Sequence, residues 1–161
     1  MRQLIYFGKN PEAPCLLQRA TGGSAAYDII AAQDIVVSET PQFIDLGFHT
    51  AYDPDIAALL LPRSGHGVKY GVQLANTVGL IDSDYRLEWK AKIMLNDQVN
   101  NVLDDKCALV DGVRELVIKK DTALAQVLFV PAIHFDQIVS VTTQSELPPS
   151  GRIGGFGSTD K

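Results

Sequence analysis

Gly8-Lys9-Asn10-Pro11, Thr21-Gly22-Gly23-Ser24, Glu39-Thr40-Pro41, Tyr52-Asp53-Pro54-Asp55 and Asp111-Gly112 punctuate this chain at short intervals. Each supplies the preset or permissive backbone that a chain reversal needs. Between them lie runs rich in β-branched and aliphatic residues at 34–37, 43–50, 56–61, 89–95, 116–118 and 127–133. Short runs separated by turn signals predict an all-β domain, a sandwich or barrel of antiparallel or mixed sheet. Sustained helical periodicity is hard to find. The best helical candidate is a short turn around 64–71, where Gly65, Gly67 and Gly71 argue against a long helix.

The segment 97–120 is less regular, with mixed charge around Asp111-Gly112, and reads as a strand pair with an extended surface loop. From Gln144 the chain turns polar, then Pro148-Pro149 introduces a stiff stretch before a Gly-rich end. The expected organisation is one β-rich domain over 1–147 and a flexible tail over 148–161. With 161 residues the chain is long enough to bury a real core. Its net charge of −5 argues against a general nucleic-acid binder, although it does not exclude a local cationic pocket. Cys15 and Cys107 lack metal-ligand spacing, and no apolar run approaches a membrane span, so the expected setting is cytoplasmic. His49, His66 and His134 have no mutual spacing for zinc.

Three stretches carry residues suited to phosphate chemistry. In Leu61-Pro62-Arg63-Ser64-Gly65 a guanidinium fork, a hydroxyl and a backbone open to close approach stand side by side. The other reading is a surface turn with an incidental ion pair. In Gly79-Leu80-Ile81-Asp82-Ser83-Asp84-Tyr85-Arg86 an apolar run ends in two carboxylates and a phenol. Were it extended, Asp82 and Asp84 would share a face opposite Tyr85. An Asp is ionised at neutral pH and can hold or deprotonate a water; the other reading is an acidic turn at a strand end. In Gly151-Arg152-Ile153-Gly154-Gly155-Phe156-Gly157-Ser158-Thr159, phosphate-type donors surround a ring able to land on a flat base. A disordered terminus is the bland alternative. Gln126, polar within an apolar strand, is an edge position or a pocket donor.

Together these blocks resemble, in order and near spacing, the motif set of the trimeric dUTPases. The resemblance runs from Ser24-Ala25-Ala26-Tyr27-Asp28-Ile29 to Thr159, with matches at 26–29, 62–65, 76–88, 125–128 and 154–159. It implies a jelly-roll-like subunit of the β-clip type, forming a homotrimer with active sites at subunit interfaces. It further implies hydrolysis of dUTP to dUMP and pyrophosphate, with Asp82 activating the water that attacks the α-phosphorus. Tyr85 would pack beneath the deoxyribose. Asn76 and main-chain groups of a 79–90 hairpin, including Gly79, Ile81 and Lys90, would hold the uracil edge.

By the same resemblance, Arg63, Ser64, Gly65 and Gln126 would hold the phosphates, and Arg152, Phe156, Gly157, Ser158 and Thr159 would close over the nucleotide. Mg2+ would be held mainly by phosphate oxygens and waters, with Asp28 near it through water. Beyond dUTP and the chain's own copies, the segment 97–120 offers a surface for a protein partner; neither membrane nor nucleic acid is expected. This chain has Ala26 and Leu87 where the family usually has Gly, Ala123 where it has Arg, and Arg152 one position later than usual. The related dCTP deaminases need a general acid/base set for attack at C4, and no Glu here matches it. A nucleotide-gated regulator built on the same fold is the remaining alternative.

Overall fold

The computed structural model describes residues 4–9, 17–98 and 102–149. The strands among them are β1 (Ile5–Lys9), β2 (Leu17–Gln18), β3 (Tyr27–Ile30), β4 (Ile35–Ser38), β5 (Gln42–Asp45), β6 (Phe48–Tyr52) and β7 (Ile56–Pro62). After α1 (Ser64–Tyr70) come β8 (Val72–Leu74), β9 (Gly79–Ile81), β10 (Lys90–Leu95), β11 (Cys107–Val110), β12 (Val113–Ile118) and β13 (Ala123–Pro131). A 3-10 turn, Gln144–Glu146, comes last. Every strand pair among the described residues is antiparallel. The largest sheet has the order β2-β3-β13-β7-β9; smaller ones are β5-β10-β8, β11-β12-β4 and β1-β6.

Alternation decides which face turns inward. Along β10, Ala91, Ile93 and Leu95 are buried while Lys90 and Lys92 face out. Leu116 and Ile118 of β12 and Ile35 and Val37 of β4 follow the same period. These residues join one hydrophobic cluster with Phe48 and Trp89, whose ring centroids are 5.0 Å apart.

The expected run at 43–50 is two strands. Gly47, at φ 74°, breaks it, so that β5 joins β10 and β6 joins β1. Asp111 and Gly112 both have positive φ, 51° and 83°, the backbone of a two-residue hairpin turn, and the expected strand pair forms around them. This part of 97–120 is not merely surface: Cys107, Leu116 and Ile118 are buried, and so is Arg114. The Arg114 guanidinium donates to Glu39 Oε1 at 2.9 Å and to the Asn96 carbonyl at 2.8 Å.

The expected turn at 64–71 is a seven-residue helix. Gly71 ends it in the left-handed region, φ 79°, its N–H donating to the Gly67 carbonyl at 3.0 Å. Asp104 ties the far end of α1 to β11. Its Oδ2 accepts from Lys69 Nζ at 2.8 Å and the Tyr70 hydroxyl at 2.9 Å, and its Oδ1 from the amides of Lys106 and Cys107. The Lys69 hydrogen bond, then the Lys106 amide, hold the Asp104 carboxyl well below the usual carboxylate range.

Candidate active site

The five-stranded sheet places the first group of candidates. Asp28 on β3, Gln126 on β13 and Leu61 on β7 are register partners across three adjacent strands. Gln126 is therefore not on an edge strand; β13 is the sheet's middle strand, which removes that alternative. Its amide donates to the Pro62 carbonyl at 2.9 Å, fixing the chain just before Arg63. Arg63 Nε stands 3.1 Å from Asp28 Oδ1, an ion pair linking the end of β7 to β3. Asp28, Arg63, Ser64 and Gln126 line one cavity of about 300 Å3, closed on its other side by the loop from Ala20 to Ala26. Arg19 braces that loop by donating to the Ser24 carbonyl at 2.9 Å and to the Gly22 carbonyl.

Ser64 and Gly65 open α1, where the first amide hydrogens of a helix lack intrahelical acceptors. A Cβ at Gly65 would meet nothing within 4 Å in its own chain. Its glycine is therefore not demanded by this chain's packing, unlike that of Gly79, where a Cβ would lie 3.1 Å from Leu60 Cβ. His66 is half-buried behind Arg63, and its Nδ1 has no hydrogen-bond partner among the described residues. Burial first, then the charges of Arg63 and Lys106, push the imidazole below its usual pKa.

The second group lies around β9. Asn76 precedes a tight reversal in which the Val78 amide donates to the Asn76 carbonyl at 2.8 Å, with Thr77 at φ 69° between them. That is a γ-turn centred on a β-branched residue, a strained backbone. The Asn76 side-chain amide spans it, donating to the Val78 carbonyl at 3.2 Å. Beyond β9 the chain turns at once: the Tyr85 amide donates to the Asp82 carbonyl at 3.1 Å. Residues 82–85 are thus a turn, and the face shared by Asp82 and Asp84 in an extended reading is not formed. Asp82 is exposed at this turn, and Tyr85 is half-buried with its hydroxyl directed to the Glu88 carbonyl at 3.4 Å.

The segment 79–90 is not a hairpin either. β9 pairs with β7, whereas β10 pairs with β5 and β8, so the segment crosses between sheets. Lys90 turns its ammonium to Asp45, 2.8 Å away, and the hydrogen bond to Asp45 raises its pKa. The Ile81 carbonyl accepts from the Tyr52 hydroxyl at 2.8 Å. Sequence reasoning missed Tyr52; the signal available was its place in the inward alternation Phe48, Thr50, Tyr52.

The two groups are far apart within one chain. Ala58 pairs with Ile81 and Leu60 with Gly79, so Asp82 lies level with residue 57, six positions from Arg63 along β7. At 3.3 Å per residue that is about 20 Å. The outer face of the same sheet supplies a reason. Leu128, Leu59 and Leu80 form one cross-strand row and Asp28, Gln126 and Leu61 the next, on the same face. Leu80 is 63% exposed, and Leu59, Leu61 and Leu128 are only half-buried. Arg152, Phe156, Gly157, Ser158 and Thr159 lie outside the described residues. Among the described residues no group of three His, Cys, Asp or Glu side chains could hold a metal, and no helix is long and apolar enough to cross a membrane.

A mostly-β chain in which sequence-distant Asp28, Arg63, Ser64 and Gln126 line one cavity belongs to the class of β-rich subunits that carry a small polar, anion-suited site. A model of the dUTPase family matches residues 13–102. The chain is 36% identical over 148 residues to a deoxyuridine 5′-triphosphate nucleotidohydrolase of Janthinobacterium sp. (strain Marseille), covering 88% of this chain and 86% of that one. In structure it is similar to the dUTPase of Staphylococcus bacteriophage 80alpha solved with dUPNHPP, at TM-score 0.72 and 20% identity, over 97% of this chain and 98% of that one. It is also similar to the dUTPase of phage phi11 of S. aureus, solved with a structural Mg(II) ion, at TM-score 0.68 and 21% identity, over 88% of this chain and 99% of that one. The chain belongs to the dUTPase family and has its mostly-β fold.

Proposed function

We propose that this chain hydrolyses dUTP to dUMP and pyrophosphate, as a homotrimer whose active sites lie between subunits. The observation that carries the reading is the convergence of Asp28, Arg63, Ser64 and Gln126 on one cavity in a dUTPase-family chain. The apolar outer face beside Asp28 and Gln126 supports the assembly, because large uncovered apolar patches mark interfaces. So does the segment after β13, where Phe135 is 82% and Ile138 89% exposed. A second copy on that face would offer its Asp82 turn to a cavity that lacks one.

In that arrangement Arg63 and the first amides of α1 take the phosphate oxygens, with Ser64 as a further donor. Asp82 accepts the proton of the attacking water and orients it toward the α-phosphorus, while fixed donors receive the charge that moves onto the leaving pyrophosphate. Main-chain groups around Gly79 and Ile81, with Asn76, read the uracil edge. Cytosine would set its amino donor against a backbone donor and leave both unpaired. Tyr85 under the sugar excludes a 2′-hydroxyl, and the tail from Arg152 to Thr159, with Phe156 over the base, excludes bulk water.

The cavity presents one carboxylate, Asp28, already paired with Arg63. That suits a hydrated Mg2+ carried on the triphosphate rather than one caged by protein. Bound there, Mg2+ neutralises phosphate charge. A pyrophosphate-release screen over dUTP, dCTP, dTTP and UTP with Mg2+ tests the reading. Release from dUTP alone is expected, and silence with all four would refute it.

A further inference from the structure

The Asp82 turn is held to β6 from both sides, and neither hold touches the carboxylate. On one side the Tyr52 hydroxyl donates to the Ile81 carbonyl at 2.8 Å. On the other, Arg86 Nη1 donates to the Ser83 carbonyl at 2.6 Å and reaches the Thr50 carbonyl at 3.4 Å, so one guanidinium ties the turn to β6. Tyr52 is itself immobilised: it is buried, packs edge-on against Phe129 with centroids 5.4 Å apart, and sits opposite Ile5 in the β1–β6 pair. Burial pushes its phenol up to about 12, with the nearby Asp82 charge adding to the rise, so it remains a donor at any working pH.

We propose that Tyr52 and Arg86 are positioning residues for Asp82, clamping the carbonyls before and after it so that its carboxylate meets the attacking water in one fixed direction. This rests on the reading of Asp82 as the water-activating group. Through Asp82 the clamp acts on the transition state, so its loss appears mainly in kcat, with a smaller effect on KM where the Ile81 main chain also meets the base. Displacing a reacting group by an ångström costs up to about 100-fold, and losing one of two holds is expected to cost roughly tenfold.

The test measures kcat, KM for dUTP and thermal unfolding for Tyr52→Phe, Arg86→Lys, Asp82→Asn and the double variant Tyr52→Phe/Asp82→Asn. The expected result is a kcat lowered about tenfold by Tyr52→Phe, with any rise in KM smaller than that fall. In the Asp82→Asn background the same change should have no further effect, because the clamp then has nothing to aim. Unchanged kcat in folded Tyr52→Phe and Arg86→Lys overturns the proposal. So does an equal loss in both backgrounds, which is what a merely structural tyrosine gives. Should Tyr52→Phe not fold, Arg86→Lys, alone and combined with Asp82→Asn, carries the same comparison. Wild-type turnover by Asp82→Asn would instead sink the hydrolytic reading of Asp82 itself.

Discussion

Arg63 meets two demands at once. Its Nε pairs with Asp28, and its side chain, 38% exposed, lines the cavity. A guanidinium has further N–H donors, so phosphate need not displace the ion pair. Arg63→Ala is expected to raise the KM for dUTP roughly 10- to 100-fold, the range of a lost charged hydrogen bond, as steady-state kinetics will report. Asp82→Asn should lower kcat by about 100- to 10,000-fold while calorimetry still detects binding of a non-hydrolysable dUTP analogue. Tyr85→Ala should let UTP compete, read as a fall in the dUTP/UTP ratio of kcat/KM. These candidates stand out in the sequence because their residue types crowd into short motifs. Tyr52 does not, since its partner is a main-chain carbonyl 29 positions away and a strand-end Tyr reads as core. Whether Asp82 and Asp84 share a face was left open by the sequence, because Asp and Ser suit a turn as well as a strand end and no Gly or Pro decides between them.

Among the elements, α1 carries a histidine whose burial ties its stability to pH. The folded chain holds His66 below its usual pKa, so the unfolded chain binds that proton first. Stability contributed by the neutral ring is complete above about pH 6.5 and is lost as pH falls through the folded value. Asp104 is also depressed, and its contribution is lost in a lower window, below about pH 4. Thermal unfolding from pH 7 to 5 should show a falling Tm in the wild type and a flatter curve in His66→Leu.

The β12–β4 seam has its own dependence, on buried Arg114. Glu39→Ala removes one of that guanidinium's acceptors, its carboxylate partner, and should cost about 2 kcal/mol in a denaturant titration. The figure is below that for fully buried pairs because the Glu39 side chain is 35% exposed. The Asp111-Gly112 hairpin was readable because both positions need positive φ. β2 and β8 were not, since two or three residues carry no period and form only where a neighbouring strand offers hydrogen bonds. The same brevity hid the pairing of β9 with β7, and so the failure of 79–90 to close on itself.

At the scale of the whole molecule, the candidate residues fall into two groups along one sheet. The sheet that gathers Asp28, Arg63 and Gln126 at one level carries Asp82 about 20 Å away, with the apolar row Leu128, Leu59 and Leu80 between them on the outer face. No sequence pattern reports that separation, because it comes from the register of three strands rather than from any motif. Native mass spectrometry at micromolar concentration should show a trimer. The most direct test mixes two nearly inactive variants, Arg63→Ala and Asp82→Asn, under conditions of subunit exchange at low dUTP. If Arg63 of one subunit works with Asp82 of another, a random mixture regains about one quarter of wild-type sites. Hybrid trimers present by mass but no more active than the two variants measured apart would contradict a site shared between chains.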